Sequence, residues 1–480
     1  MATISSPGVG SGLDVNSIVT QLVAIERQPI TLLQKEASSL QTKLSAYGKL
    51  QSNLSALRDA AADLARASTW NQTAGTSSDS SAVAVTTDAN NKAGSYSVQV
   101  TQLASAQSNV SQVYASADAL VGEGTIRIEQ GSWGAGNSFT AKPDTVAVDI
   151  SVGPPAKTLA EVRDMINAAN AGITASVMTD ASGARLVFNS SAPGAANGFR
   201  ISVTDPDGNN TDVSGLSALA YNPAVGVVTM AQALGAANAA AVVNGVAVSS
   251  PTNTLANLVD GMTLTLAKTT TAPVQIATAP DKDAIRKKIE AFVTAYNGLN
   301  TELANQTRYD AANKTAGTLQ GDSAAVGLRS LLRTTLGTQS AASTVFTRLS
   351  DVGFDVQRDG SIKLDSKKLD NGLANLPELK KMFSTSDTLV PANNGIATLM
   401  RTQADQALGV DGTLTSRSDG LRTRIQSNEK RQAEMEVRVQ QTETRLRAQY
   451  TALDKQMGQL TSLSSYVTQQ MNLLLNTKQN

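Results

Sequence analysis

The residues able to do chemistry in this chain are few, and the commonest ones are missing. There is no histidine and no cysteine among the 480 residues. That removes the Ser-His-Asp triad, a histidine general base, a thiol nucleophile, a disulfide framework and the ordinary zinc site. Carboxylates remain. Asp205-Pro206-Asp207-Gly208 has the outline of a calcium loop. Pro206 and the lack of a downstream bidentate Glu at the right spacing make it a plain turn. Gly122-Glu123-Gly124 and the cluster Gly131, Gly134, Gly136 resemble glycine-rich loops. Neither fits a strand–loop–helix phosphate cradle, and no Gly-Lys-Ser/Thr follows, so both read as strand turns. No carboxylate pair stands out for glycoside hydrolysis, and two Trp make poor provision for sugar stacking. Arg438, Arg445 and Arg447 alternate with Glu436 and Glu443, which reads as the solvated face of a coiled coil rather than a nucleic-acid patch. Trp70 reads as a packing residue at a domain junction.

Composition points the same way. Lys+Arg and Asp+Glu are 40 each, so no global field attracts nucleic acid. No stretch approaches the roughly 18 apolar residues of a membrane span, and Leu473-Leu474-Leu475 is too short to be one. The opening residues lack the basic and apolar runs of a secretory signal. These features favour a structural or interaction protein over an enzyme, with no cofactor, no metal, no nucleic acid and no membrane insertion. The length suggests about three domains.

The elements fall into helical ends and a β-rich middle. Asp14 is the expected N-cap of a helix carrying Ile18, Leu22 and Ile25 on one face, broken at Pro29. Tyr47, Leu50, Leu54, Leu57, Ala61 and Leu64 then follow in alternating steps of three and four, the spacing of a coiled coil or bundle. From about residue 73 the pattern turns to strands, as in Ala82–Thr86 and Tyr96–Val100. Thr158-Leu159-Ala160-Glu161 is a capping box, and Ile173–Met178 with Arg185–Phe188 reads as a hairpin. Thr254-Leu255-Ala256 looks like a second short helix before the strand Met262–Leu266, an echo that is either a duplicated module or two similar solutions. Helical spacing returns at Pro280-Asp281 with Ile285, Ile289, Phe292, Val293 and Tyr296. The longest periodic run, Leu421–Leu474, keeps strict three-four steps but has many polar seam positions, including Asn428, Gln432, Gln449 and Gln456. Such a seam is weak alone and needs partner helices.

Several stretches carry a resemblance. Gly10-Ser11-Gly12-Leu13-Asp14, Ile18–Leu22, Glu26–Ile30, Ala295-Tyr296-Asn297-Gly298-Leu299-Asn300, Leu319-Gln320-Gly321-Asp322, Leu331-Leu332-Arg333, Leu349–Phe354 and Gly360–Asp365 occur in this order. Together they resemble the bacterial flagellar filament cap family, also called flagellar hook-associated protein 2. Thr158–Asn189 resembles a module shared with flagellin-type and hook-associated proteins.

The resemblance implies an α+β multidomain fold, with terminal coiled-coil helices and a helical-bundle domain carrying two inserted β-rich domains. The parts would be a leg of residues 1–42 with 450–480, a bundle of 43–72 with 280–449, a plate domain of 73–121 with 232–279, and a distal domain of 122–231. It implies a structural cap at the growing filament tip, outside the cell, that promotes folding and insertion of exported flagellin, prevents its loss and is required for motility. The implied partners are flagellin and the distal filament end, further copies in a ring with five favoured, the flagellar type III export apparatus and a cytoplasmic export chaperone. Host mucus or glycans are a further partner if the exposed plate also serves adhesion. Leu13, Ile18, Leu22, Ile25, Leu453, Leu460, Val467 and Leu474 are the expected docking residues of the terminal helices. A hook–filament junction component or another axial flagellar protein, and a surface adhesin, are the competing readings.

Overall fold

The computed structural model describes residues 14–476, with side chains to residue 472. The helices in chain order are α1 (Val15–Glu26), α2 (Gln28–Ala65), α3 (Ala67–Trp70), α4 (Leu159–Ala168), α5 (Lys282–Thr307), α6 (Ser323–Gly337), α7 (Ser366–Ala374), α8 (Leu376–Ser384), α9 (Ile396–Leu408) and α10 (Thr413–Asn476). Two compact units share the chain. One takes the residues up to Ala67 and from Arg286 onward, the other Ser68–Ile285. The fold is α+β.

In the helical unit, Asp14 caps α1, its carboxylate accepting from Ser17 N at 3.0 Å. The break falls at Arg27, and Pro29 sits in the first turn of α2, where its missing N–H leaves no intrahelical bond unmade. The seam from Tyr47 to Leu64 is buried along its whole length. It packs along α9, whose Ile396, Met400 and Ala404 are also buried, and along α10. Burying each such Leu is worth about 2 kcal/mol, and six successive seam positions make α2 the spine of the unit. Phe354 lies 6.4 Å from Phe292 and 5.7 Å from Phe383, ring centre to ring centre, which joins α5, a hairpin and α8.

That hairpin, Phe354–Val356 with Ile362–Leu364, explains two of the motifs. The Asn297 side chain donates to Ile362 O at 2.8 Å and accepts from Ile362 N at 2.7 Å. Tyr296 Oη donates to Gly360 O at 3.0 Å. One turn of α5 therefore satisfies the polar edge of a two-stranded ribbon that is too small to stand alone.

The other unit holds two cores. A five-stranded antiparallel sheet runs in the order Thr73–Ser77, Val274–Pro280, Gly94–Gln102, Ala239–Val243, Val246–Ser250. With the three-stranded sheet Thr254–Val259, Met262–Leu266, Val83–Thr87 it encloses Val83, Val98, Val100, Leu264 and Ile276. The second core lies between the long strand Leu120–Trp133 with its neighbours, the hairpin Ile173–Asp180 with Gly183–Ser190, and α4. The capping box is present: Thr158 Oγ1 accepts from Glu161 N at 3.2 Å, and Glu161 accepts from Thr158 N at 2.8 Å. Gln107, fully buried, bonds Phe199 N and O and accepts from Trp133 Nε1, so no polar atom of its amide is left bare.

Two expectations need correction. Thr254–Val259 is a strand, not a helix, so the apparent duplication disappears. Three residues after Thr254 stands Asn257, with φ +54°, where a capping box needs Glu or Gln. Gly122 and Gly124 are not a turn. They sit inside the strand Leu120–Trp133, where its register against Val148–Thr158 shifts twice. A Cβ on Gly124 would lie 2.2 Å from Thr204 O, so only glycine allows that approach.

Candidate functional site

No three acidic residues converge to hold a metal among the described residues, and no described helix is long and apolar enough to cross a membrane. The helices near the two termini carry the predicted docking residues.

Val15, Val19 and Val23 of α1 are buried against Met435, Val439, Leu446 and Tyr450 of α10. At about 100° per residue, the three valines and the three predicted docking residues share one wide apolar arc. The valine half meets α10. Ile18 and Leu22 lie on the margin, half-buried, and Ile25, roughly 120° round from Val19, is 61% exposed. The expectation of one apolar face holds, but its buried centre is the valine row. Leu13 lies outside the described residues.

The packed part of α10 carries polar links as well. Arg27 pairs with Glu436 at 2.7 Å, and Arg447 reaches Asn16 at 3.1 Å and Glu443 at 2.9 Å. So Arg447, expected on a solvated face, also joins the two helices. Asn428 is buried in the seam, donating to Glu36 at 3.2 Å and accepting from Gln432 at 2.5 Å. A buried Asn at such a position fixes the register of paired helices at a cost in stability.

Beyond Tyr450 the surroundings change while the spacing does not. Leu453, Leu460 and Val467 recur every seven residues, and their exposures are 43%, 58% and 51%. Met457 and Met471 continue the same stripe, Leu463 and Tyr466 flank it, and all are exposed. Leu474 falls on the last turns of α10. The structure thus places three predicted docking residues on one bare face of α10, and two on the margin of α1.

Asp322 was not singled out by its chemistry, although it ends the Leu319-Gln320-Gly321-Asp322 motif. It caps α6 through Ala324 N and Ala325 N at 3.0 and 3.3 Å. It also accepts from Tyr47 Oη of α2 at 2.5 Å and pairs with Arg417 of α10 at 3.2 Å. Burial opposes its charge, but the bonds from Tyr47, Ala325 and Arg417 outweigh burial and hold the carboxyl below its ordinary value. Burial and the Asp322 carboxylate together push the Tyr47 phenol well up. One carboxylate therefore fastens three helices. The sequence signal for it is an Asp directly before an apolar helical run.

The comparisons with known proteins fit this architecture. Models of the flagellar hook-associated protein 2 N-terminus and C-terminus match residues 11–107 and 236–462, and one of the flagellin hook IN motif matches 134–192. The A-type flagellar hook-associated protein 2 of Pseudomonas aeruginosa is 30% identical, with 97% of each chain covered. The flagellar hook-associated protein 2 of Escherichia coli K12 is 30% identical over the full length of both chains. The crystal structure of the D1-D2-D3 domains of the flagellar cap protein FliD from Escherichia coli superposes with a TM-score of 0.59 at 26% identity, covering 78% of this chain and 99% of that one. With matches at both ends, in the middle and over the whole length, the chain belongs to the flagellar hook-associated protein 2 family, the family of the flagellar filament cap.

Proposed function

We propose that this chain caps the distal end of the growing flagellar filament, outside the cell, as a structural component and not an enzyme. Several copies, five favoured, close into a ring by head-to-tail contacts, which require two different complementary patches on each copy. Residues 73–121 with 232–279, and 122–231, form the plate. Residues 43–72 with 280–449 form the bundle, and 1–42 with 450–480 form legs that dock on the filament end. Exported flagellin emerges beneath the plate, folds there and is inserted, and the cap moves on. The chain reaches this place through the flagellar type III channel, accompanied inside the cell by an export chaperone, and motility depends on it.

The observation that carries this reading is the bare stripe Leu453, Leu460, Val467 on α10. A row of large apolar side chains at coiled-coil spacing, left in water, is an interface awaiting a partner. The polar seam beside Asn428 suits legs that must bind, release and re-orient, where an unbroken leucine seam would hold too tightly.

The experiment is a deletion strain of the source bacterium, assayed for unpolymerised flagellin in the medium, followed by addition of the purified protein from outside. Leakage in the deletion strain, with filament growth restored by the added protein, is the expected result. Normal filaments without leakage would contradict the cap role and favour the adhesin reading.

A further inference from the structure

We propose that the cleft beside Gly420 is a receptor for a carboxylate side chain presented by a partner protein, with Lys43, Arg417 and Arg424 as its cationic walls. The cleft lies between α2 and α10, has a volume of about 180 Å³, and includes Tyr47, Leu421 and Asp322 in its lining. Three cations thus face two carboxylates, Asp322 in the lining and Glu36 beside Arg424, and Asp322 is already engaged. Asp322 accepts from Tyr47, from Arg417 and from two backbone N–H groups of α6. Among the described residues Arg424 is held only by Glu36, at 3.6 Å, with both side chains about half exposed or more. Lys43 has no hydrogen bond or ion pair among the described residues. The cleft therefore has one positive charge to spare, at Lys43, an arginine fork on Arg424 held only by a long exposed ion pair and suited to carboxylate geometry, and an open mouth. A Cβ built on Gly420 meets no atom within 4 Å.

Size and floor select the ligand. Small-molecule sites run from roughly 300 Å³ upward, so a nucleotide or an oligosaccharide does not fit. Tyr47 and Leu421 give the cleft a partly apolar lining. An acidic side chain brings methylenes to that surface as well as a charge for the walls, and inorganic phosphate brings only charge. The partner being a protein at the filament end rests on the cap reading above. Charge in the cleft adds to docking through the Leu453–Met471 stripe, which begins roughly 50 Å further along α10 at 1.5 Å per residue.

The test titrates the full-length protein into a fluorescently labelled hexaglutamate peptide at fixed ionic strength, with inorganic phosphate as competitor. Gly420→Leu fills the mouth, and Lys43→Glu reverses one wall. Gly327→Leu, at another open helical glycine, is the control, and far-UV circular dichroism checks that each variant folds. The expected result is a loss of affinity of tenfold or more for both cleft variants and none for the control. Equal binding by all four proteins, or no binding by any, overturns the proposal. So does phosphate binding that both cleft variants abolish while hexaglutamate does not bind, because the site would then serve a free anion. The titration involves no filament. A failure of the cap reading shows instead as absent flagellin leakage in the deletion strain, so the two failures are separable.

Discussion

The lower seam of α2 and the far end of α10 have the same apolar spacing and opposite surroundings. Leu50, Leu54, Leu57 and Leu64 are wholly buried, whereas Leu453, Leu460 and Val467 are about half exposed. Periodicity states which residues share a face. What covers that face is a tertiary fact. The first seam is the interior of a bundle. The second is a bare apolar face, and in the proposed function it is covered by another molecule.

The contrast is broken most sharply by truncation on each side. Leu54→Ala opens a cavity in the bundle and is expected to lower the unfolding free energy by about 2–5 kcal/mol in urea denaturation. Leu460→Ala removes the same atoms from an exposed site, and its expected change is within about 0.5 kcal/mol. Equal losses would mean that the α10 stripe is covered within the chain.

Removing the charge of Asp322 is the next largest effect. Asp322→Asn keeps an oxygen for the α6 cap but loses the ionic bond to Arg417 and weakens that to Tyr47, at an expected cost of about 1–3 kcal/mol near neutral pH. The folded carboxyl titrates below its ordinary value, so its contribution is present above the unfolded range, near 4, and is lost as the pH falls through the folded value. The gap between wild type and variant in urea midpoint is therefore expected to close below about pH 4. A gap independent of pH would remove the charge from the explanation.

Asn428→Leu sharpens the comparison from the other side, by making the packed part of α10 more like α2. The expected outcome is a gain of about 1 kcal/mol in stability, with slower exchange of the leg between orientations. Circular dichroism melting and spin-label distances between α1 and α10 would report both. The smallest effect belongs to Arg27→Ala. Its ion pair with Glu436 is half exposed, and the expected loss is below about 0.5 kcal/mol and falls further in salt.

Much of the fold was legible because the relevant signals are local. The Tyr47–Leu64 spacing, the Thr158 capping box and the Asp180–Gly183 hairpin turn each contain their own physical cause, and the structure has all three. Thr254-Leu255-Ala256 misled because it shares the first half of a capping box without the Glu that completes it. Asn297, Asp322 and Asn428 were missed as structural keys because each acts across the chain. Their partners lie 65, 275 and 392 residues away, and no periodicity announces a single polar residue. Of the proposed docking surface, the sequence shows the stripe on α10 but not that it is bare. On α1 it shows the apolar arc but not which half meets α10.

The most direct test of the central claim is the add-back assay with a chain in which Leu453, Leu460 and Val467 are all replaced by Ser. The account predicts a protein with unchanged melting temperature that no longer stops flagellin loss from the deletion strain. Full capping by this variant would contradict it and show that the stripe on α10 is not the surface that holds the filament.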